Sequence, residues 1–132
     1  MIALDTNILA RFLLKDDEKQ YRTAVSLLRK KQEYTAPPSV LLELVWVLQI
    51  NDCSREEIVK GLWALFGLAN FKPMEPEAMS HALRWYEAGM DFGDAVHLAL
   101  CTKTAGFTTF DKDLGKHARK VAASPPVMVV YT

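Results

Sequence analysis

Short apolar runs alternate with amphipathic runs along the whole chain, and this alternation is the feature that most limits the fold. Apolar residues at helical spacing follow the runs of strand type. Such alternation favours parallel strands that are covered by helices on both faces. We therefore predict an α/β fold in which five strands form a parallel sheet: Ile2–Leu4, Tyr34–Ala36, Phe71–Met74, Phe107–Phe110 and Val127–Tyr131.

Composition places the chain in an ordinary globular class. Its length of 132 residues suggests one domain over residues 1–132, with enough chain to bury a core. The net charge is zero, so no overall basic field attracts nucleic acid. The two cysteines, Cys53 and Cys101, are widely separated, and an acid at position 5 interrupts the first apolar run. We expect reduced thiols in a soluble cytoplasmic protein.

Glu43 is the residue that an ordinary structural interpretation explains least well. It is the one acid in the apolar stretch 40–48, where a helix would be apolar on almost every side and is usually buried. A buried, unpaired carboxylate costs several kcal/mol, on the order of the stability of a whole domain. Glu43 is therefore expected to have a cation as partner or to lie beside a solvent-filled cleft. A salt bridge to Arg11, or a solvated strip along the helix, are the structural alternatives.

Four further acids stand at predicted helix or strand ends. Asp91 and Asp94 are three residues apart, so they share a helix face, yet a helix cap and a first-turn acid explain both as well. Asp5 and Asp111 each follow a predicted strand. The carboxyl ends of parallel strands meet at one sheet edge, where ligands bind in open α/β sheets. We expect these acids and Glu43 to converge on one cleft.

Carboxylates crowded in this way need a cation to neutralise them. An all-oxygen ligand set without histidine or cysteine suits Mg²⁺ or Mn²⁺ better than Zn²⁺. A carboxylate-bound Mg²⁺ can activate water and clamp a scissile phosphate. Thr6, Asn7 and Thr109 are candidates to orient water or phosphate oxygens, although each fits a cap or turn equally well.

These motifs resemble those of the PIN-domain ribonucleases, and more narrowly those of VapC-type toxins of type II toxin–antitoxin pairs. The resemblance covers essentially the whole chain and rests on four segments in the family's order: Asp5-Thr6-Asn7, Val40 to Leu44, Asp91 to Ala95, and Thr109 to Leu114.

The resemblance implies a Rossmann-like, three-layer α/β/α sandwich around a central parallel β-sheet. It implies Mg²⁺- or Mn²⁺-dependent cleavage of single-stranded RNA, a homodimer, and inhibition by a small antitoxin whose tail enters the active-site groove. The residues that match the family's site are the acidic quartet of Asp5, Glu43, Asp94 and Asp111, the auxiliary Asp91, and the polar Asn7 and Thr109. Asp5 and Asp94 are expected to be primary metal ligands, with Glu43 and Asp111 holding water or a second ion.

Candidate RNA contacts are the basic residues near these acids in the predicted layout: Arg11, Lys112, Lys116 and Arg119. A solvated basic face is an equally good interpretation of each. The large aromatics of the helices are explained by core packing, or by a groove between the Trp46 and Trp63 helices that receives an antitoxin or a second copy of the chain.

The same residues disfavour other functions. A haloacid-dehalogenase-type phosphatase needs a second aspartate where Asn7 stands, and a response-regulator receiver needs a phosphoacceptor aspartate after a middle strand, where the segment 71–75 has none. An RNA-processing PIN nuclease without an antitoxin remains open. A PIN fold that only binds protein or RNA is disfavoured because all four acids are present.

Overall fold

The computed structural model describes every residue from Met1 to Thr132. The chain forms two compact units, Met1–Met74 and Glu75–Thr132. Helices and parallel strands make up both units, so the predicted mixed α/β class with parallel strand pairing is confirmed. The assignment of residues 1–132 to one domain stays a prediction.

The first unit contains two short strands and four helices. They are, in chain order, β1 (Ile2–Ala3), α1 (Thr6–Leu14), α2 (Glu18–Leu28), β2 (Tyr34–Thr35), α3 (Pro38–Ile50) and α4 (Arg55–Phe66). Helix α1 packs against α2 and α3, and α3 packs against α4. Leucines from three of these helices are fully buried: Leu9, Leu41, Leu44 and Leu62. This core fixes the start of α1, where the first candidate acid lies.

Strand β1 pairs in parallel with β2, and Ile2 and Ala3 lie opposite Tyr34 and Thr35. The sequence predicts a buried first strand, and this is wrong because both residues of β1 are exposed. The predicted strand Phe71–Met74 lies beside β2 but is not a regular strand. Phe71 forms an isolated parallel bridge with Tyr34, and the backbone N–H groups of Lys72 and Met74 donate to the carbonyls of Tyr34 and Ala36 at 3.0 Å each.

Helix α3 is exposed on one side in spite of its apolar sequence. Leu41, Leu44 and Val45 are buried, whereas Glu43, Trp46 and Ile50 are exposed. The interpretation of this helix as buried on almost every side is therefore wrong, and the structure agrees with the alternative of a solvated strip along the helix. Residues three, four and seven apart share a helix face, so these exposed side chains form one stripe on which the carboxylate is solvated.

The second unit contains three helices and two strands: α5 (Pro76–Glu87), α6 (Phe92–Leu100), β3 (Phe107–Thr109), α7 (Lys112–Lys120) and β4 (Val127–Val129). Helices α5 and α6 pack together, and Tyr86 meets Phe92 edge-to-face with 5.4 Å between ring centroids. Gly89 has a φ of 117°, a value that favours glycine, and ends the α5 segment as the sequence predicts.

Strands β3 and β4 are also parallel, and Phe107, Thr108 and Thr109 lie opposite Val127, Met128 and Val129. Helix α7 connects these two strands and packs against β4, with Leu114 and Ala118 buried. The strand–helix–strand connection therefore sets where α7 begins, and Asp111 lies at that point. No helix of either unit is both long enough and apolar enough to cross a bilayer.

Candidate active site

Asp5 follows β1 and is the N-cap of α1. Its Oδ1 accepts a hydrogen bond from the backbone N–H of Thr6 at 2.8 Å, and the side chain is exposed. The predicted placement of an acid directly after the first strand is thus confirmed. Only one of the carboxylate oxygens takes part in this cap, so the other can serve a ligand.

Thr6 presents a polar atom that the fold does not satisfy. The residue is only 3% exposed, and its Oγ1 has no hydrogen-bond partner. Burying a hydroxyl without a partner is unfavourable, and such groups are rare in folded proteins. This hydroxyl is adjacent to Asp5, and it fits the predicted role of a group that hydrogen-bonds a water or ligand oxygen there.

Asn7 is exposed one residue further along α1 and lines a cavity of about 590 Å³ between α1 and α2. Arg11 lines the same cavity, and its Nη1 lies 2.7 and 2.9 Å from the two carboxylate oxygens of Asp16. The guanidinium therefore already has an acidic partner, and the alternative in which Arg11 pairs with Glu43 is wrong.

Asp91 and Asp94 lie together at the start of α6. Asp91 is the N-cap, and its Oδ2 accepts from the backbone N–H of Asp94 at 3.1 Å. Asp94 lies in the first turn and is half-buried. The cap geometry predicted from their spacing is confirmed, and it holds the two carboxylates near each other.

Asp111 follows β3 and is the N-cap of α7. Its Oδ1 accepts from the backbone N–H groups of Asp113 at 2.9 Å and Leu114 at 3.1 Å. Its own backbone N–H donates to Oγ1 of Thr109 at 3.0 Å. Thr109 therefore positions the backbone of Asp111, which is a more specific role than the one expected from sequence.

The electrostatics of Asp94 show that the second unit brings three acids within interaction range. Partial burial raises the pKa of the Asp94 carboxyl, and the negative charges of Asp91 and Asp111 raise it further, while His97 opposes them. Repulsion of this kind disfavours the ionised carboxylate unless a cation is close. The local field at Asp94 is thus one that a positive ion would relieve.

The donor chemistry of these acids fits a hard divalent cation, because all the ligand atoms would be carboxylate oxygens. Within either unit, no group of three or more His, Cys, Asp or Glu side chains is already arranged as a metal-binding cluster. In the second unit, the charges of Asp91 and Asp111 act on Asp94, and Asp5 and Glu43 lie in the first unit. Convergence of the acids on one cleft stays a prediction.

The basic candidates on α7 are solvent-exposed. Lys112, Lys116 and Arg119 are all exposed, and Nζ of Lys112 lies 5.1 Å from the ring centroid of Tyr131. This aromatic contact was not predicted from the sequence, because strand pairing is what brings residue 131 beside the start of α7. The available signal was Tyr131 at the end of the last predicted strand, which pairs in parallel with the strand that leads to Lys112.

The large aromatics of the helices have different environments. Trp85 is buried and stacks on His81, and Trp63 meets Phe66 edge-to-face at 6.0 Å. The burial of Trp85 agrees with the core-packing interpretation, whereas Trp63 and Phe66 are half-buried neighbours on α4. Trp46, in contrast, is 59% exposed on α3. An apolar cavity of about 550 Å³ in the first unit is lined from α1 to α4, but neither Trp46 nor Trp63 lines it.

Comparison with protein families gives one match. A family model described as PIN domain matches residues 2–120 of the chain, which includes every acid discussed above. The match confirms the predicted PIN-like α/β/α fold class. Comparison with curated proteins gives no match.

Proposed function

The chain belongs to the PIN-domain family, and from this premise we propose that it is a Mg²⁺-dependent endoribonuclease that cleaves single-stranded regions of RNA. PIN domains are usually nucleases and generally use divalent metal ions. The observation that carries the proposal is the half-buried Asp94, whose pKa is raised by burial and by the charges of Asp91 and Asp111. An acid whose pKa is raised by burial together with neighbouring like charges is typical of functional sites.

In the proposed mechanism, Asp5 and Asp94 would be the primary ligands of Mg²⁺, with Mn²⁺ as the alternative ion, and Glu43 and Asp111 would act through water. A bound divalent cation supplies positive charge to the scissile phosphate and lowers the pKa of water. The helix caps made by Asp5 and Asp111 restrict the orientation of their carboxylates. This preorganisation lowers the cost of assembling the site when the ion and substrate bind.

The neighbouring polar residues have supporting roles. Asp91 holds the first turn of α6 and adds negative charge beside Asp94. Thr6 has a buried hydroxyl without a partner, and Asn7 is exposed beside the α1–α2 cavity; both are suited to bind water or phosphate oxygens. Thr109 fixes the backbone of Asp111. Each of these residues therefore positions a group rather than carrying the reaction itself.

The proposed RNA contacts are the exposed lysines and arginine of α7, Lys112, Lys116 and Arg119, together with Arg11. Phosphate contacts of this type give affinity that falls with salt concentration. Arg11 is already paired with Asp16, so RNA must compete with that carboxylate for its donors. We therefore expect α7 to contribute more to RNA affinity than Arg11.

We further propose that the protein is the toxin of a type II toxin–antitoxin pair, acts as a homodimer in the cytoplasm, and is inhibited by a small antitoxin. This proposal is supported by the resemblance of the four acidic segments to those of VapC-type toxins. It is also supported by two surfaces that suit protein partners: the exposed Trp46 stripe of α3 and the apolar cavity of the first unit. A small reading frame beside the gene whose product co-purifies and suppresses cleavage is expected. A nuclease active on one precursor RNA, with no such neighbour, would instead indicate an RNA-processing enzyme.

The nuclease proposal is tested by incubating purified protein with labelled single-stranded RNA, with Mg²⁺ or with EDTA. Cleavage is expected with Mg²⁺ and not with EDTA, and Asp94→Asn is expected to abolish it. Glu77→Gln is the matched control, because it also removes one carboxylate from the first turn of a helix in the same unit, and Glu77 is exposed. Cleavage by Asp94→Asn at the wild-type rate would overturn the assignment of the site.

A further inference from the structure

Two aromatic rings lie on the surface where β3 and β4 end. Phe110 and Tyr131 are each 70% exposed. The backbone N–H of Val130 donates to the carbonyl of Thr109 at 2.8 Å, so the chain beyond β4 continues beside the end of β3. Together with Lys112, Val130 and Thr132, the two aromatic residues line a cleft of about 380 Å³. We call Phe110, Tyr131 and Lys112 the aromatic platform.

The chemistry of the platform distinguishes it from an ordinary apolar patch. Nζ of Lys112 lies over the Tyr131 ring at 5.1 Å, so a cation and a π surface occur at one place. The exposed side of α7 adds three more positive charges at Lys116, Arg119 and Lys120. Exposed aromatic rings that alternate with basic side chains are the arrangement by which proteins hold single-stranded nucleic acid.

We propose that the aromatic platform binds bases of single-stranded RNA by stacking, with Lys112 contacting the adjacent phosphate. This inference rests on the proposed nuclease function and names the place where that substrate is held. Asp111 stands between Phe110 and Lys112 in the chain, so RNA stacked on the platform lies beside an acid of the proposed site. Stacking is tolerant of sequence because every base has a π face, so the platform gives affinity with little base preference.

The experiment measures binding without cleavage. A short fluorescein-labelled oligoadenylate is titrated with the full chain in EDTA, and fluorescence anisotropy gives the dissociation constant. Phe110→Leu and Tyr131→Leu keep an apolar side chain but remove the ring. Each is expected to weaken binding about fivefold or more, the loss typical of one stacked base. Tyr131→Phe retains the ring and is expected to bind like wild type.

Leu100→Ala is the control, because it removes an exposed apolar side chain from α6, outside the platform. It is expected to leave the dissociation constant unchanged. A second measurement does not depend on any variant: photocrosslinking of wild-type protein to RNA that contains 5-bromouridine, with peptides mapped by mass spectrometry. Crosslinks are expected at Phe110 or Tyr131.

Unchanged affinity in both Leu variants, or crosslinks that all lie elsewhere, would overturn the platform. If these variants bind RNA normally but shift the sedimentation coefficient from dimer to monomer, the surface is a contact between copies of the chain and the proposal is wrong. Because RNA binding is measured in EDTA, the variants can show unchanged affinity there while the wild-type protein still cleaves RNA in Mg²⁺. Failure of the platform is therefore distinguishable from failure of the nuclease proposal.

Discussion

Gly115 sets how closely α7 approaches β4, and replacing it tests the packing that holds Asp111. It is a buried glycine within α7. A Cβ added there would lie 2.4 Å from Cγ2 of Val129 and 3.9 Å from its Cβ. Contacts of 2.4 Å do not occur between real carbon atoms, so Gly115→Ala forces the helix or the valine to move.

The magnitude follows from two opposing effects. Alanine is favoured over glycine inside a helix by about 1 kcal/mol. Overpacking costs about 1–3 kcal/mol, and we expect the upper part of that range because the β-branched Val129 has a stiff χ1. Gly115→Ala should therefore lower the free energy of unfolding by about 1–2 kcal/mol. At this chain length each kcal/mol corresponds to a fall of about 4 °C in Tm.

The assay is urea and thermal denaturation followed by circular dichroism, with a double-mutant cycle. In the Gly115→Ala background, Val129→Ala removes the clashing methyl group, so the two changes should be coupled by about 1 kcal/mol. Gly61→Ala is the control: its nearest neighbour, Cδ2 of Leu13, is at an ordinary 3.6 Å, so the variant should gain stability. Additive changes in the free energy of unfolding across the cycle would refute the reasoning. A gain in stability by Gly115→Ala equal to that of Gly61→Ala would refute it as well.

Two further predictions concern a helix cap and the pH dependence of stability. Ser54→Ala removes the capping box of α4, in which Oγ of Ser54 accepts from the N–H of Glu57 at 3.1 Å and the Ser54 N–H donates to that glutamate at 2.8 Å. The free energy of unfolding, measured in urea, should fall by about 1 kcal/mol in Ser54→Ala. Ser54→Thr keeps a side-chain hydroxyl and should retain most of the stability, and an unchanged midpoint of urea unfolding in Ser54→Ala would contradict the role of this cap. For Asp94, the folded pKa is raised above the ordinary 3.8, so its ionisation opposes folding. In EDTA, the free energy of unfolding of Asp94→Asn minus that of wild type should therefore increase as the pH rises from below 3.8 to neutrality. A decrease in this difference over the same pH range would contradict the raised pKa.

Features that depend on neighbours in the sequence were predicted well. The capping box of Ser54 and Glu57 and the cap of Asp91 are set by groups three residues apart, and both can be recognised from that spacing alone. The same locality explains why Asp5 and Asp111 were correctly placed where a strand gives way to a helix. Such interactions need no knowledge of the tertiary fold.

Features that depend on distant partners were predicted less well. The apolar sequence around Glu43 indicated burial, but which side of α3 is covered depends on helices that pack against it, and Glu43 lies on the exposed side. Residues 71–74 lie beside β2 as a strand would, yet they are too irregular to form a continuous strand. In the site, the proximity of Asp94 to Asp111 depends on how α6 and α7 are placed in the second unit, and spacing along the chain does not encode it.

Three of the acids, Asp5, Asp91 and Asp111, cap helices through one carboxylate oxygen. Asparagine accepts the same hydrogen bond with the same side-chain length, so it preserves the helix start while removing the charge. A single base change converts an aspartate codon into an asparagine codon. One transition mutation at any of these positions therefore removes a negative charge from the proposed site and leaves the start of the helix intact.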